Sequence, residues 1–236
     1  MIDFGPKVLG SIMYKDQYRI RQYPMGYFSH VLDIGASSGI FSLFSTVLHP
    51  NARVVGIEAH PATCETAKQN LKSFRVEIYN EALGRGGKVG PREWPENWSL
   101  LGHSYIEEFA EGSDPEKTID GFTLSQLGVK HDIDPHRDRV LLKIDCEGNE
   151  RHILTDKNSR RFLEQCHHVA VEIHFSSANK NSFWSKLGFP TWEEYNNFFR
   201  TMNRRFDILY YKSSKWGGVG HMILSIKEYL RTSPKY

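Results

Sequence analysis

A buried strand that ends in a glycine turn constrains this chain more than any other feature. Residues 31–35 read V-L-D-I-G, and a second glycine, Gly39, follows shortly after. This pattern predicts a parallel strand that turns sharply into a helix, because glycine allows positive φ and close approach of the backbone to a ligand. A second apolar run, residues 53–58, ends in Glu58, whose carboxylate can accept hydrogen bonds from two ribose hydroxyls. The two strand ends therefore predict a site for a nucleoside-containing cofactor.

Strand and helix patterns alternate along most of the chain. Buried strands are indicated at residues 31–35, 53–58, 74–79, 139–145 and 168–174. Helices are indicated at residues 38–48 and 61–71, and Pro61 suits a first helical turn because its φ is fixed. Residues 206–211 and 221–226 are typical of a terminal antiparallel pair. We therefore predict an α/β, Rossmann-like fold: a seven-stranded, mostly parallel sheet with one antiparallel strand and helices on both faces.

The domain organisation follows from the length and from one break in this alternation. The 236 residues suffice for one α/β domain with a sizeable core and are short for two. Residues 1–30 are interpreted as an N-terminal helical or lid segment, and residues 31–236 as the cofactor-binding domain. Residues 85–122 interrupt the alternation with glycines, prolines and polar residues, and are interpreted as an insertion on the ligand side or a pair of extra strands.

Charge, cysteine content and hydropathy argue against several classes of protein. Lys and Arg exceed Asp and Glu by two (30 − 28), so there is no electrostatic reason to expect a nucleic-acid or anionic-membrane partner. Three cysteines, Cys64, Cys146 and Cys166, show neither metal-ligand spacing nor the even count of a disulfide framework. There is no signal-peptide pattern and no apolar run that approaches the ~20 residues of a transmembrane helix. We expect a soluble, cytoplasmic protein without a transmembrane segment.

Two cofactor classes fit a glycine turn after the first strand and an acid after the second: NAD-type dinucleotides and S-adenosylmethionine. Dinucleotide sites usually carry G-x-G-x-x-G, whereas this chain has Gly35 and Gly39 with Ser37 between them. Asp33 would repel a pyrophosphate, but it suits the cationic methionine end of S-adenosylmethionine, directly or through water. Charge therefore favours the methyl donor, and an NAD-type oxidoreductase stays as the alternative.

Six motifs follow one another in order between residues 31 and 174. They are VLDIGASSGIFSL, VVGIEAHPATCETAKQNL, NEALG, FTLSQL, LLKIDCEGNERHIL and VAVEIH. Together they resemble the FkbM-type methyltransferases, a branch of the class I S-adenosylmethionine-dependent fold. The most diagnostic is K-I-D-C-E-G-N-E at residues 143–150, which is similar to the family's K-I-D-x-E-G-x-E. The chain departs from the family at Ser37, Ala59 and Ser125, where Asn, Pro and Asp are respectively common.

The resemblance implies which residues hold the cofactor. Five residues of the first turn would surround the methionine moiety: Asp33, Gly35, Ala36, Ser37 and Gly39. Glu58 would hold the ribose, and Ala59 would border the adenine together with the turn that contains Glu81 and Ala82. Members of such a family methylate hydroxyls, often on sugars of glycans or on secondary metabolites. The resemblance therefore implies an O-methyltransferase with a carbohydrate or another hydroxyl-bearing small molecule as its acceptor.

Four side chains after the fourth and fifth strands are candidates for catalysis: Asp145, Glu147, Glu172 and His174. Ligands bind outside the carboxyl ends of parallel strands, so these side chains should face the donated methyl group. An alcohol is a weak nucleophile, and a base or a metal that acidifies the hydroxyl is expected. Asp145 is the first candidate and is also expected to contact the cofactor, and His174 could also act as the base. Each also has a structural interpretation: an N-cap for Asp145, a charge near a helix N-terminus for Glu147, and a hydrogen-bonded strand end for His174.

The metal and the acceptor are less constrained. Asp145, Glu147 and Glu172 could bind Mg²⁺ or Mn²⁺, because carboxylates suit hard divalent ions, but the sequence fixes no ligand geometry. Four tryptophans fall in segments expected to overhang the ligand end, which suits stacking on sugar rings as well as ordinary hydrophobic cover: Trp94, Trp98, Trp184 and Trp216. A catalytically inactive cofactor-binding scaffold and a nucleic-acid or protein acceptor stay as further alternatives, and the near-neutral charge disfavours nucleic acid.

Overall fold

The computed structural model describes residues 12–13, 15–91, 105–106, 115–146, 149–150, 156–174, 206–213 and 219–226, together with residues 193, 197 and 200. The strands in this part of the chain are β1 (His30–Ile34), β2 (Arg53–Ile57), β3 (Val76–Tyr79), β4 (Ala82–Leu83), β5 (Lys88–Pro91), β6 (Tyr105–Ile106), β7 (Ile119–Phe122), β8 (Val140–Ile144), β9 (His168–His174), β10 (Phe206–Ser213) and β11 (Val219–Ile226). The α-helices are α1 (Ile40–Leu48), α2 (Pro61–Leu71), α3 (Leu124–Lys130) and α4 (Lys157–Gln165). Short 3₁₀ turns lie at Ile20–Gln22 and Pro115–Lys117.

Seven strands form the central sheet in the order β10-β11-β9-β8-β1-β2-β3. The five strands from β9 to β3 run parallel to one another, and β11 pairs antiparallel with both β9 and β10. The predicted fold class is therefore confirmed, including its one antiparallel strand. β1 lies in the middle of the parallel part, with Ile34 beside Ile57 of β2 on one side and Ile144 of β8 on the other. The turns after β1, β2 and β8 therefore meet at one edge of the sheet.

Helices cover both faces of the sheet, because side chains alternate between the two faces along each buried strand. On one face, Leu32 and Ile34 of β1 pack in a core that also contains residues of α3 and α4. On the other face, Val31 of β1 packs in a core that contains residues of α1. Alternation places Asp33 and Lys143 on this second face, and the register puts them directly opposite each other. Two charged residues therefore lie inside an otherwise apolar layer.

Local sequence explains where the helices begin. The nitrogen of the His60 ring accepts from the Thr63 N–H, and Pro61 occupies the first turn of α2 as predicted. A capping box of Thr123 and Gln126 starts α3. α1 begins at Ile40, two residues later than the sequence pattern predicts, because Gly39 precedes it with a φ of 88° and cannot belong to the helix.

Residues 15–28 precede β1 and are named here the N-terminal strap. The Asp16 carboxylate accepts hydrogen bonds from the Ile20 and Arg21 N–H groups, which fixes the 3₁₀ turn. The strap packs on the same face of the sheet as α1 and buries four large side chains: Tyr18, Ile20, Tyr23 and Phe28. Within the N-terminal segment predicted as helical or a lid, the described part is thus an ordered cover of the sheet.

A second, smaller sheet has the order β4-β7-β5-β6. Three of its strands come from residues 85–122, so the described part of the predicted insertion contains extra strands. Within residues 191–202, the structure describes only positions 193, 197 and 200, and all three are helical. Within the residues that the structure describes, no helix is long and apolar enough to cross a membrane.

Candidate active site

A cavity of about 230 Å³ lies at the carboxyl ends of the parallel strands, where sheets of this kind bind ligands. Eight of the predicted cofactor residues line it: Gly35, Ala36, Ser37, Glu58, Ala59, Glu81, Ala82 and Asp145. Asp33 and Gly39, also predicted there, do not belong to the lining. The cavity wall further includes Tyr18 of the strap and Lys143 of β8.

Glu58 is anchored by the two turns that flank it. One carboxylate oxygen accepts from the Ser37 N–H at 2.8 Å, and the other accepts from the His60 N–H at 2.9 Å. Asn80 supports the same corner, because its amide donates to the carbonyls of Glu58 and Ala59 at 3.0 and 2.8 Å. Burial raises the pKa of Glu58, although both N–H donors oppose the rise. A buried acceptor of fixed orientation therefore faces the cavity.

The turn after β1 needs glycine for a reason other than the predicted approach to a ligand. Gly35 has a φ of 75°, and a Cβ there would lie 1.7 Å from the Asp145 carbonyl oxygen. A Cβ at Gly39 would lie 2.5 Å from Leu71 Cδ1 of α2. Ser37 also takes a left-handed φ of 51°, a conformation that the family's frequent Asn tolerates better than Ser. The glycines thus allow the turn to pack against β8 and α2.

Lys143 places a buried cation behind this turn. Its Nζ lies 3.2 Å from Asp33 Oδ1 and 3.7 Å from Asp145 Oδ2, and it donates to the Gly35 carbonyl at 2.6 Å. Burial alone would lower the pKa of Lys143, but the carboxylates of Asp33 and Asp145 outweigh it, so the pKa is raised. Asp33 also accepts from Ser42 Oγ at 2.7 Å and is fully buried. Its charge is therefore directed at Lys143, and it acts on the cavity through that residue.

Two carboxylates after β8 and within β9 meet the N-terminal strap. Tyr18 Oη donates to Asp145 Oδ2 at 3.2 Å, and Gln17 Nε2 donates to Glu172 Oε2 at 3.1 Å. Asp145 retains 24% side-chain exposure, whereas Asp33 has none. Asp145, and not Asp33, therefore presents negative charge to the cavity.

A family profile described as the methyltransferase FkbM domain matches residues 33–206, which is 174 of the 236 residues. The chain belongs to the FkbM methyltransferase family. Members of this family use S-adenosylmethionine, so the predicted cofactor class, S-adenosylmethionine, is confirmed through family membership. A search of curated proteins gave no match.

Solved structures of methyltransferases resemble this FkbM methyltransferase at low sequence identity. An O-methyltransferase from Bacillus cereus in complex with S-adenosylhomocysteine is 12% identical, with a TM-score of 0.49 over 96% of this chain and 83% of that one. An FkbM methyltransferase from Methylobacillus flagellatus KT is 14% identical, with a TM-score of 0.44 over 90% of this chain and 47% of that one. A methyltransferase from Aquifex aeolicus described as S-adenosylmethionine-dependent is 10% identical, with a TM-score of 0.41 over 94% of both chains.

The cavity of this methyltransferase fits S-adenosylmethionine in the chemistry of its lining. Glu58 offers an acceptor-only carboxylate for ribose hydroxyl donors. Apolar residues beside it, Ile57, Ala59, Ala82 and Leu83, suit the faces of an adenine ring. Asp145 supplies negative charge on the opposite side of β1, where the cationic methionine end would lie.

Glu81 borders the cavity with its charge already paired. One carboxylate oxygen lies 2.8 Å from His131 Nε2, and the other lies 3.0 Å from Lys130 Nζ. Burial would raise the pKa of Glu81, but these two partners more than offset it, so the pKa is lowered. Glu81 therefore holds the turn against α3, and Ala82 next to it provides the apolar surface.

The remaining predicted residues are described only in part. Glu147 and the four tryptophans lie outside the described residues, and for His174 only the backbone position at the end of β9 is described. Among the residues described, no group of three His, Cys, Asp or Glu side chains could hold a metal ion. Cys146 lines the cavity, but burial raises the pKa of its thiol, so it stays protonated.

Sequence reasoning gave no role to Tyr18, Gln17 or Lys143. Lys143 carried a usable signal, because a lysine inside the apolar run V-L-L-K-I must find a buried partner. Tyr18 and Gln17 carried none, since their carboxylate partners lie 127 and 155 positions further along the chain.

Proposed function

We propose that this FkbM methyltransferase transfers the methyl group of S-adenosylmethionine to a hydroxyl oxygen of a sugar in a glycan or glycoconjugate. The observation that carries the proposal is the Asp145 carboxylate in the cavity wall, on the opposite side of β1 from Glu58. Bound S-adenosylmethionine supplies an electrophilic methyl group on a sulfonium. A group that accepts the hydroxyl proton is then needed on the acceptor side.

In this proposal, each residue has one task. Glu58 accepts hydrogen bonds from the ribose, and the turn from Gly35 to Ser37 holds the methionine portion. Asp145 orients the acceptor hydroxyl in line with the methyl–sulfur bond and accepts its proton as the new carbon–oxygen bond forms. Lys143 keeps Asp33 neutralised behind the turn, so Asp145 is the carboxylate left to interact with the acceptor.

The sugar in this proposal is supported by the family resemblance and by the tryptophans in the ligand-side segments of the sequence. A reducing compartment, the cytoplasm, is supported by the odd number of cysteines, Cys64, Cys146 and Cys166, and by their lack of metal-ligand spacing. A small hydroxylated metabolite is the alternative acceptor.

Calorimetry and a transfer assay test the proposal. We expect S-adenosylmethionine and S-adenosylhomocysteine to bind and NAD not to bind. Methyl transfer to a panel of methyl glycosides and hydroxylated metabolites is followed by mass spectrometry. The test variant is Asp145→Asn, and its control is Asp120→Asn, which changes an exposed carboxylate. Asp145→Asn should lower the rate about 10²-fold or more without abolishing S-adenosylhomocysteine binding. Binding of NAD alone, or firm donor binding without transfer to any acceptor, would overturn the proposal.

A further inference from the structure

The N-terminal strap contacts the cavity on the side of β8 and β9. Gln17 and Tyr18 are consecutive, and they reach Glu172 and Asp145 on the neighbouring strands β9 and β8. Both strands lie on the side of β1 away from β2, which carries Glu58 at its end. In the proposed function, this is the side that the acceptor occupies.

Tyr18 is fixed in place before any ligand binds. Its main-chain carbonyl accepts from His168 Nε2 at 2.8 Å, and its ring meets Phe41 edge-on with centroids 5.0 Å apart. Because a carbonyl only accepts, Nε2 of His168 carries the ring proton, and Nδ1 accepts from the Tyr23 hydroxyl at 3.0 Å. Only 3% of Tyr18 is exposed. Its hydroxyl therefore has little freedom to leave Asp145.

Two residues of the site contact the same oxygen of Asp145. Tyr18 Oη and Lys143 Nζ both approach Oδ2, at 3.2 and 3.7 Å. A carboxyl group that ends a strand can rotate about its last torsion, which has a broad preference. The hydrogen bond from Tyr18 and the charge of Lys143, both at Oδ2, restrict that rotation.

We propose that Tyr18 is a positioning residue for methyl transfer, whose hydrogen bond to Oδ2 orients the Asp145 carboxylate to take the proton of the acceptor hydroxyl. This inference rests on the proposed function. The acceptor O–H bond breaks towards Asp145, the oxygen forms its bond to the methyl carbon, and the electron pair of the methyl–sulfur bond stays on sulfur. Tyr18 itself gives up no proton.

The protonation of Tyr18 agrees with that task. Burial, and next the charge of Asp145, raise the pKa of Tyr18 well above its ordinary value. The phenol therefore keeps its proton at neutral pH and acts as a donor. It is not a candidate for the base.

The first test measures the contact and needs no acceptor. In protein labelled with ¹³C at the tyrosine Cζ, we expect the Tyr18 signal at pH 7 to move in Asp145→Asn. It should stay in place in Asp120→Asn, which removes an exposed carboxylate paired with Lys88. A Tyr18 signal that Asp145→Asn leaves unmoved would overturn the inference, whatever the acceptor.

The second test measures the role, with the methyl glycoside that the transfer assay identifies. Tyr18→Phe keeps the ring and should lower kcat about tenfold, with the KM for S-adenosylmethionine and the Kd for S-adenosylhomocysteine within about twofold. Tyr79→Phe is the control, because it removes a hydroxyl bonded to the Glu77 carboxylate at 2.7 Å outside the cavity. In an Asp145→Asn background, Tyr18→Phe should have no further effect.

The outcomes separate the two proposals. An unchanged kcat in Tyr18→Phe, with transfer and cofactor binding intact in the parent protein, refutes the positioning role and leaves the proposed function standing. A parent protein that does not bind S-adenosylhomocysteine refutes the proposed function, and the positioning role is refuted with it. Equal losses of kcat in Tyr18→Phe and Tyr79→Phe would also refute the positioning role, since they would indicate a general effect of losing a tyrosine hydroxyl.

Discussion

Replacing Lys143 by Met should destabilise the protein strongly, because it leaves the Asp33 charge buried without its cation. The two groups lie 3.2 Å apart, and their side chains are 4% and 0% exposed. At an effective dielectric constant of 20, that separation corresponds to about 5 kcal/mol of Coulomb attraction before desolvation is counted. Breaking a buried ion pair at one partner typically costs about 3–5 kcal/mol. We therefore expect Lys143→Met to lower the free energy of unfolding by about 4 kcal/mol.

Urea denaturation followed by tryptophan fluorescence measures this change, and a second pair provides the control. Lys88 Nζ lies only 2.7 Å from Asp120 Oδ1, but the two side chains are 60% and 65% exposed. Solvent screening should therefore limit Lys88→Met to a loss of less than about 1 kcal/mol. If Lys143→Met and Lys88→Met lost similar stability, burial would not be what makes the first pair important.

The double variant Asp33→Asn/Lys143→Met tests the cause directly. Asn can still accept from Ser42 Oγ, and no charge is left uncompensated at this position. We expect the double variant to be about 2 kcal/mol more stable than Lys143→Met alone, because Asp33→Asn removes the buried charge that has lost its partner. The single variant Asp33→Asn is measured as well. If its loss of stability and that of Lys143→Met simply added in the double variant, Asp33 would not be the partner that requires Lys143.

Three further predictions concern the turn, the ribose site and pH. Gly35→Ala should lose more than about 3 kcal/mol of stability in urea denaturation because its Cβ would overlap the Asp145 carbonyl, whereas Gly87→Ala, with nothing within 4 Å, should be near neutral. Glu58→Gln should weaken S-adenosylhomocysteine binding at least about tenfold in calorimetry, since an amide oxygen and nitrogen cannot both accept from the Ser37 and His60 N–H groups. Burial raises the pKa of Glu58, so the affinity of the parent protein for S-adenosylhomocysteine should fall as acidification protonates this carboxylate. Burial lowers the pKa of His49 to about 4, below its value of 6.5 in an unfolded chain, so its contribution to stability is complete above pH 6.5 and is lost as pH falls towards 4. Between pH 6.5 and 4, the free energy of unfolding of His49→Leu should therefore fall by about 3 kcal/mol less than that of the parent protein. Parallel plots of unfolding free energy against pH for the two proteins would contradict this.

The sequence predicted the elements whose residues carry their own signal. Apolar runs identified every strand of the central sheet, and His168–His174 and Pro61–Leu71 match their predicted bounds. The start of α1 was predicted two residues too early. The sequence does not show whether Gly39 belongs to the helix or precedes it, and only its φ of 88° excludes it from the helix. The β1 turn and Glu58 were placed at the cavity because strand ends in a parallel sheet must meet there.

The parts of the site that the sequence did not predict depend on pairs of residues far apart in the chain. Asp33 was expected to face the cofactor, and nothing in V-L-D-I-G reveals that Lys143 lies directly opposite it in the register. The strap contacts are harder still, because residues 15–28 have no periodicity that could indicate which strands they cover. Only the packing of Tyr18 on the sheet brings its hydroxyl to Asp145.

The two carboxylates and the turn at the site all depend on the charge of Lys143. Without this cation, Asp33 and Asp145 would repel each other across the ends of β1 and β8, and the turn that holds Glu58 through the Ser37 N–H would lose its support at the Gly35 carbonyl. One buried ammonium therefore supports the turn after β1 and also lies beside the carboxylate that we propose acts on the acceptor. Because the same group serves both purposes, a Lys143 variant should lose cofactor affinity together with catalytic rate. A Tyr18→Phe variant should lose rate alone, since it removes only the hydroxyl that donates to Asp145. This difference separates the structural support of the site from its chemistry.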